Sequence, residues 1–280
     1  MRDLLADLQD PIPVLDQGFV RAVDVMPRFV EDGQTADQAI VQAARVSYGA
    51  GTKSVREDRS LIHYLMRHQH TSPFEQVELK FHMRLPIFVA RQMIRHRTAS
   101  VNEESLRYSE ARDEFYLPRI DDIRYQSVRN KQGRADEPLP EAEAAAIQKE
   151  LEADQQAMYE RYRSYLTRGV ARELARINLP VSLLTSWYWK VDLHNLFHFL
   201  KLRLDPHAQH EIRAYAEAMA RIARAVAPIA YEAFEEHTLH AVRFSRSEMA
   251  ALRRMLKGEP HGLDGRAADE LLAKLGEPPT

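Results

Sequence analysis

Nine consecutive residues, Val77 to Leu85, alternate without a break between apolar and polar side chains. Val77, Leu79, Phe81, Met83 and Leu85 fall on one side, Glu78, Lys80, His82 and Arg84 on the other. Successive side chains of a strand point to opposite faces, so the pattern predicts a strand in a sheet with one covered and one wet face. Phe19 to Met26 reads as a shorter strand, and Val181 to Val191 is β-branched and aromatic enough to be another. Glu114 to Leu117 offers a further short strand before Pro118.

Helical periodicity fills most of the remainder. Thr35 is placed to cap a helix through Ala39, Ile40, Ala43, Ala44 and Val46. Leu61, Ile62, Leu65 and Met66 share one face of a helix over Asp58 to His68. Pro86 suits the first position of a helix, where its missing N–H costs nothing. That helix carries Ile87, Phe88, Ala90, Met93 and Ile94, and runs out into irregular backbone at Thr98, Ser100 and Asn102. Residues 126–140 read as an exposed loop. A long helix from Glu141 to Arg168 should close at Gly169. A shorter one passes through Leu174 to Ile177, and others cover His194 to Leu202 and His207 to His237, the last broken at Pro228. Two short amphipathic pieces follow Ser245. Helices dominate over a few antiparallel or mixed strands, so the class is α+β.

The chain has 280 residues, 45% of them hydrophobic, enough for a sizeable core in one large domain or two small ones. A formal net charge of -2 argues against a broad electrostatic footprint for nucleic acid or an acidic membrane. Cysteine is absent, which closes disulfides, thiolate metal sites and a cysteine nucleophile and fits a reducing compartment. Met1 to Asp10 lacks the apolar core of a signal peptide. No run approaches the roughly 20 apolar residues of a membrane span. The expectation is a cytoplasmic protein with no membrane or nucleic-acid partner.

Between Arg91 and Arg112 the local charge departs from this balance. Arg91, Arg95, Arg97, Arg107 and Arg112 stand against Glu103, Glu104 and Glu110, with His96 among them. Cations ending a helix gain a few tenths to about 1 kcal/mol from its dipole. That does not explain Ser100, Asn102, Glu103, Ser105 and Arg107 packed into the next residues. Such a set supplies guanidinium groups for phosphate, and carboxylate, amide and hydroxyl groups that can read a base or sugar.

The run Arg95-His96-Arg97-Thr98-Ala99-Ser100-Val101-Asn102-Glu103-Glu104-Ser105-Leu106-Arg107 resembles the signature R-H-R-x-x-S-x-N-E-x-S-x-R of flavin-dependent thymidylate synthases. The resemblance continues in His68-x-His70-x-Ser72-Pro73-Phe74-Glu75 and in Pro86-Ile87-Phe88-Val89-Ala90-Arg91-Gln92. It extends to Ala175-Arg176-x-x-Leu179-Pro180 and Leu202-Arg203-x-Asp205-x-His207-Ala208-Gln209, and spans roughly Gly18 to Phe234. It implies a homotetramer with a central mixed sheet flanked by helices and active sites built from several subunits. FAD is the implied cofactor, NADPH the reductant, methylenetetrahydrofolate the carbon donor and deoxyuridine monophosphate (dUMP) the acceptor. By motif, Gln92, Arg95, Glu103, Glu104, Ser105, Leu106 and Arg107 resemble dUMP contacts, joined by Arg176 and Arg203. Arg203 is similar to the family's arginine that lies against the uracil ring and favours its ionised form, which makes it the catalytic candidate. Ser72, Arg95, His96, Arg97, Glu103, Asp192, His194 and His198 resemble flavin contacts. Ser72 is often Thr in the family and Asp192 often Asn. His70 resembles the histidine near the flavin ring and the folate path. Residues 1–240 are then the family-like domain and 241–280 a peripheral helical extension that the resemblance does not place.

Plainer readings compete at several positions. Arg203 lies among Leu200, Leu202 and Leu204, where an ion pair with Asp205 or Glu211 would also explain it. Arg176 has a similar alternative, and Glu103 could bridge to Arg107. His194 and His198, at i and i+4, have metal-ligand spacing, but without an HExxH motif or Cys a flavin-facing or interface role is preferred to a metal. Trp187, Tyr188 and Trp189 suit strand core or a subunit interface better than flavin stacking. Ser105 is the hydroxyl weighed as a substitute for the cysteine nucleophile of the better-known thymidylate synthases. The resemblance implies instead a polarised uracil that takes a hydride from reduced flavin. A nucleic-acid contact or a structural protein that has lost catalysis are the competing functions.

Overall fold

Five strands form one antiparallel sheet, in the order Ile12–Val14, Gly18–Met26, Glu78–Pro86, Leu184–Asp192, Ser100–Glu103. The computed structural model describes residues 1–6, 8–46, 55–128 and 131–276. The central strand is the alternating segment, beginning and ending one residue later than the pattern predicts. Phe81 lies opposite Ala22 on one side and Trp189 on the other. Leu79, Phe81, Met83 and Leu85 have no exposed surface, whereas Lys80 is exposed and Glu78, His82 and Arg84 are half-buried. Each fully buried side chain of this size contributes roughly 1.5–3 kcal/mol relative to exposure.

Helices Leu193–Arg203 and His210–Val226 pack against each other; the first also meets the strand it follows and the second meets Gly18–Met26. Gly18 permits one close approach. A Cβ there would stand 2.0 Å from the Tyr215 hydroxyl, which donates to the Arg84 carbonyl at 2.7 Å. Trp187 and Trp189 are buried strand core, as expected, and Tyr188 lies on the opposite face stacked against His82.

Asp37, at the start of helix Asp37–Ala44, acts in trans. Its buried carboxylate accepts from the backbone N–H groups of Ile229 at 3.1 Å and Ala230 at 2.8 Å. These are orphan donors in the first turn of helix Pro228–Phe234. Thr35 is not the cap residue, which is Ala36; its hydroxyl donates to Asp37 at 2.7 Å instead.

Three further expectations are corrected. Residues 100–103 are a strand rather than irregular backbone, paired with Trp187–Lys190. Its polar sequence follows from an edge position, where strand formation comes from the neighbour's backbone and not from side-chain burial. The predicted loop at 126–140 contains a two-stranded ribbon, Arg124–Gln126 with Arg134–Pro138. It buries neither face well, so no alternation marks it. Glu114–Leu117 makes only a single bridge, Phe115 to Leu183. The helix Glu141–Thr167 ends as expected, with Gly169 at φ 79°.

By contacts the chain divides into units Met1–Phe234 and Glu235–Thr280. The second holds helices Arg246–Met255 and Gly265–Lys274. Ser245 and Glu248 form a reciprocal capping box at the first of them, and Lys274 donates to Glu248 at 2.6 Å. Among the described residues no helix is long and apolar enough to cross a membrane.

Candidate functional site

The edge strand carries the arginine-rich motif across the end of strand Leu184–Asp192. The Glu104 N–H donates to the Ser186 carbonyl at 2.8 Å, and the Thr185 hydroxyl donates to Glu103 Oε1 at 2.7 Å. The Arg107 N–H reaches Ser105 Oγ at 3.4 Å. Glu103, Glu104, Ser105 and Leu106 thereby line a cavity of about 330 Å³ with Ile87, Leu183, Leu184, Thr185 and Arg176. Ile87, Leu106, Leu183 and Leu184 give it apolar surface and Glu103, Glu104, Ser105, Arg176 and Thr185 polar groups, a combination that suits a small molecule with a flat apolar face and a polar edge. The alternative for Glu103 is not realised: Arg107 pairs with Glu173 at 3.4 Å, both more than half exposed, so that pair contributes little. Arg176, half-buried on the short turn Arg176–Asn178, has no ion-pair partner among the described residues.

A second group forms where helix Ile87–Met93 ends. The His96 N–H donates to the Met93 carbonyl at 2.9 Å, and its ring stands edge-on to Phe199 at 4.8 Å between centroids. Arg203 Nε donates to His96 Nε2 at 3.1 Å. Burial first, then Arg203 and His198, push the His96 pKa down to about 4. Burial alone lowers that of Arg203. The expected alternatives for Arg203 are taken elsewhere. Asp205 accepts from the His207 N–H at 2.8 Å, and Glu211 accepts from Tyr116 at 3.1 Å and Arg134 at 3.3 Å. Arg203 is thus half-buried without a carboxylate among the described residues, and such a charge is costly unless something else meets it. Arg95 and Arg97 are exposed and also lack a carboxylate partner among the described residues. Gln92 donates to Gln209.

The remaining predicted residues are spread more widely. Asp192 caps helix Leu193–Arg203: its carboxylate accepts from the Asn195 N–H at 2.9 Å and the Asn195 side chain at 2.6 Å. Its local work is therefore to start the helix that presents half-buried His194 and exposed His198. The His198 ring is 6.4 Å from that of His96. Ser72 is exposed, and its carbonyl accepts from Gln76 at 3.4 Å. His70 is exposed beside Tyr64, ring centroids 5.9 Å apart, after Gln69 turns the chain at φ 58°. The cavity lining includes neither His96 nor Arg203, so one chain does not gather all the predicted groups into one enclosure. Thr185 and Phe199 hold site residues in place and carry no signal in the linear sequence that reveals this, whereas Gln209, the partner of Gln92, lies in one of the quoted motifs.

A larger groove, about 780 Å³, lies between the exposed ribbon and residues 206–213. Its arginines are engaged by protein oxygens: Arg124 by Asp121 and Asp136, Arg134 by Glu211, Arg213 by Pro206. It offers a ligand less uncompensated charge than the Arg203 cluster does.

Comparison with known proteins bears on the family. A family model described as "Thymidylate synthase complementing protein" matches residues 28–229. A second, "Thymidylate synthase ThyX C-terminal domain", matches residues 242–277 and accounts for the tail that the motifs left unplaced. A flavin-dependent thymidylate synthase of Treponema denticola is 52% identical over 262 residues, covering 94% of this chain and 96% of that one. Its counterpart in Thermus thermophilus is 54% identical over 274 residues, covering 95% and 96%. The crystal structure of the UMP/dUMP methylase PolB from Streptomyces cacaoi, bound with 5-Br dUMP, superposes with a TM-score of 0.69. It is 33% identical and covers 80% of this chain and 97% of its own. The chain belongs to the flavin-dependent thymidylate synthase family.

Proposed function

We propose that the cavity and the Arg203 cluster are parts of one dUMP and flavin site completed between copies of this chain in a homotetramer, with methylenetetrahydrofolate as carbon donor and NADPH as reductant. As a member of its family the chain methylates dUMP and uses FAD. The observation that carries the finer reading is Arg203, a half-buried guanidinium with no carboxylate partner among the described residues. A uracil ring gaining negative charge suits such a group, and the uracil nucleotide bound by PolB supports that kind of ligand. The donor set also fits a flavin dinucleotide, since exposed Arg95 and Arg97 have no carboxylate partner among the described residues and suit a pyrophosphate.

Bound FAD supplies hydride transfer. The chain's own residues bind and polarise the nucleotide. Arg203 meets charge developing on the base, an interaction that strengthens toward the transition state. Glu103, held by Thr185, and Ser105 offer acceptor and hydroxyl groups to the nucleotide, and Arg176 an anion contact. With cysteine absent and the Ser105 hydroxyl, which accepts from the Arg107 N–H, bonded to no histidine among the described residues, the chain relies on polarisation rather than on a covalent bond to the base. His70 serves the folate side. The separation of the cavity from the Arg203 cluster supports a site shared between subunits.

Sedimentation of the purified protein with and without FAD, monitored at the flavin absorption band, tests this reading. FAD should travel with the tetramer, and a monomer retaining a full complement of FAD would refute the shared site.

A further inference from the structure

We infer that His96 is a positioning residue for Arg203: its Nε2 fixes the guanidinium through Nε and leaves both terminal nitrogens for the nucleotide base. This rests on the reading of Arg203 as a dUMP ligand. The guanidinium is planar and Nε carries a single N–H, so one hydrogen bond at 3.1 Å sets the direction of its Nε edge and with it where the terminal nitrogens point. His96 is itself held, by its backbone bond to Met93 and by the Phe199 ring. Phe199 is fully buried and lies four residues before Arg203, on the same helix face. The imidazole therefore spans a rigid core ring and a functional cation.

The choice of partner matters electrically. A carboxylate would orient Arg203 equally well but would neutralise it. A neutral imidazole orients the guanidinium and leaves its whole positive charge for an electron-rich ligand. Arginine only donates, so Nε2 must be the acceptor and the ring proton sits on Nδ1. A protonated His96 would have no lone pair to offer and would set a second cation against Arg203. Burial and the neighbouring Arg203 and His198 favour the neutral ring.

The test is calorimetric dUMP titration of FAD-loaded protein in a double-mutant cycle of His96→Leu and Arg203→Ala. Loss of the fixing bond should weaken dUMP binding about tenfold in the wild-type background and less than about twofold once Arg203 is gone. His96→Gln, whose amide oxygen reaches the position of Nε2, should stay within about threefold of wild type. His96→Asn, which stops near Nδ1, should not. Flavin absorbance and melting temperature report whether each variant is loaded and folded, and if His96→Leu is not, the Gln and Asn pair decides. Equal effects of His96→Leu in both backgrounds, or equal affinities of the Gln and Asn variants, would overturn the inference. Unchanged dUMP binding in Arg203→Ala would instead overturn the assignment of Arg203, and this inference with it.

Discussion

Replacing Thr185 with Val tests whether the wall of the cavity orders Glu103 for the nucleotide. Thr185 is 6% exposed, and its hydroxyl donates to Glu103 Oε1 at 2.7 Å. Valine keeps the β-branched shape and strand preference, so packing is little disturbed. A hydrogen bond to a charged group contributes about 1.5–3 kcal/mol when it is buried, but Glu103 is exposed and water replaces the lost donor. What remains is the freedom returned to the Glu103 side chain, which dUMP must remove on binding, at about 0.5–1.5 kcal/mol. The expected result is a KM for dUMP raised about fivefold. Turnover at saturating dUMP should change by less than about twofold, because the loss is uniform binding. Steady-state rates over a range of dUMP concentrations measure both, with thermal melting as the folding control. An unchanged KM in a folded, flavin-loaded variant would remove Glu103 from dUMP recognition. A fall in turnover alone would move its role to the transition state.

Arg203→Ala should lose roughly a hundredfold in kcat/KM, with turnover as well as affinity affected, and Arg203→Lys should recover part of it because an ammonium lacks the planar fork. Near-normal turnover of the Ala variant at saturating dUMP would make Arg203 structural. Ser105→Ala should still form thymidylate, and digests of quenched wild-type reactions should contain no nucleotide on Ser105. A modified Ser105 peptide that appears and decays at the rate of turnover would overturn the non-covalent route. His96 titrates at about 4 in the fold against 6.5 for an ordinary histidine. Between those values the unfolded chain takes up a proton that the native chain does not, so the His96 contribution is full above 6.5 and is lost as pH falls toward 4. Urea unfolding at neutral and mildly acidic pH should therefore show a larger loss for wild type than for His96→Gln, and equal losses would contradict the neutral ring.

Legibility in the sequence followed the reach of each interaction. Val77 to Leu85 announced itself because burial of one face imposes a period of two. The long helix 141–167 was legible because its propensity and its Gly169 stop are local. The strand Ser100–Glu103 was not, since it owes its conformation to a backbone neighbour more than eighty residues away in the chain. The same holds at the site. Glu103, Ser105 and Arg107 stood out as neighbours in one motif. The Thr185–Glu103 and His96–Arg203 bonds join residues 82 and 107 positions apart. Spacing alone left Arg203 between an ion pair and a ligand contact. The structure removes the ion pair by committing Asp205 to His207 and Glu211 to Tyr116 and Arg134. The tail was legible as two amphipathic helices, with its family emerging only by comparison.

This chain methylates dUMP at C5 by a flavin-dependent route. Tritium release from C5-labelled dUMP, followed beside thymidylate formation in the FAD-loaded protein, tests it most directly. Release should match thymidylate formed and require both NADPH and methylenetetrahydrofolate. Release that continues undiminished after the flavin is removed, or thymidylate never formed by folded, flavin-loaded protein, would contradict it.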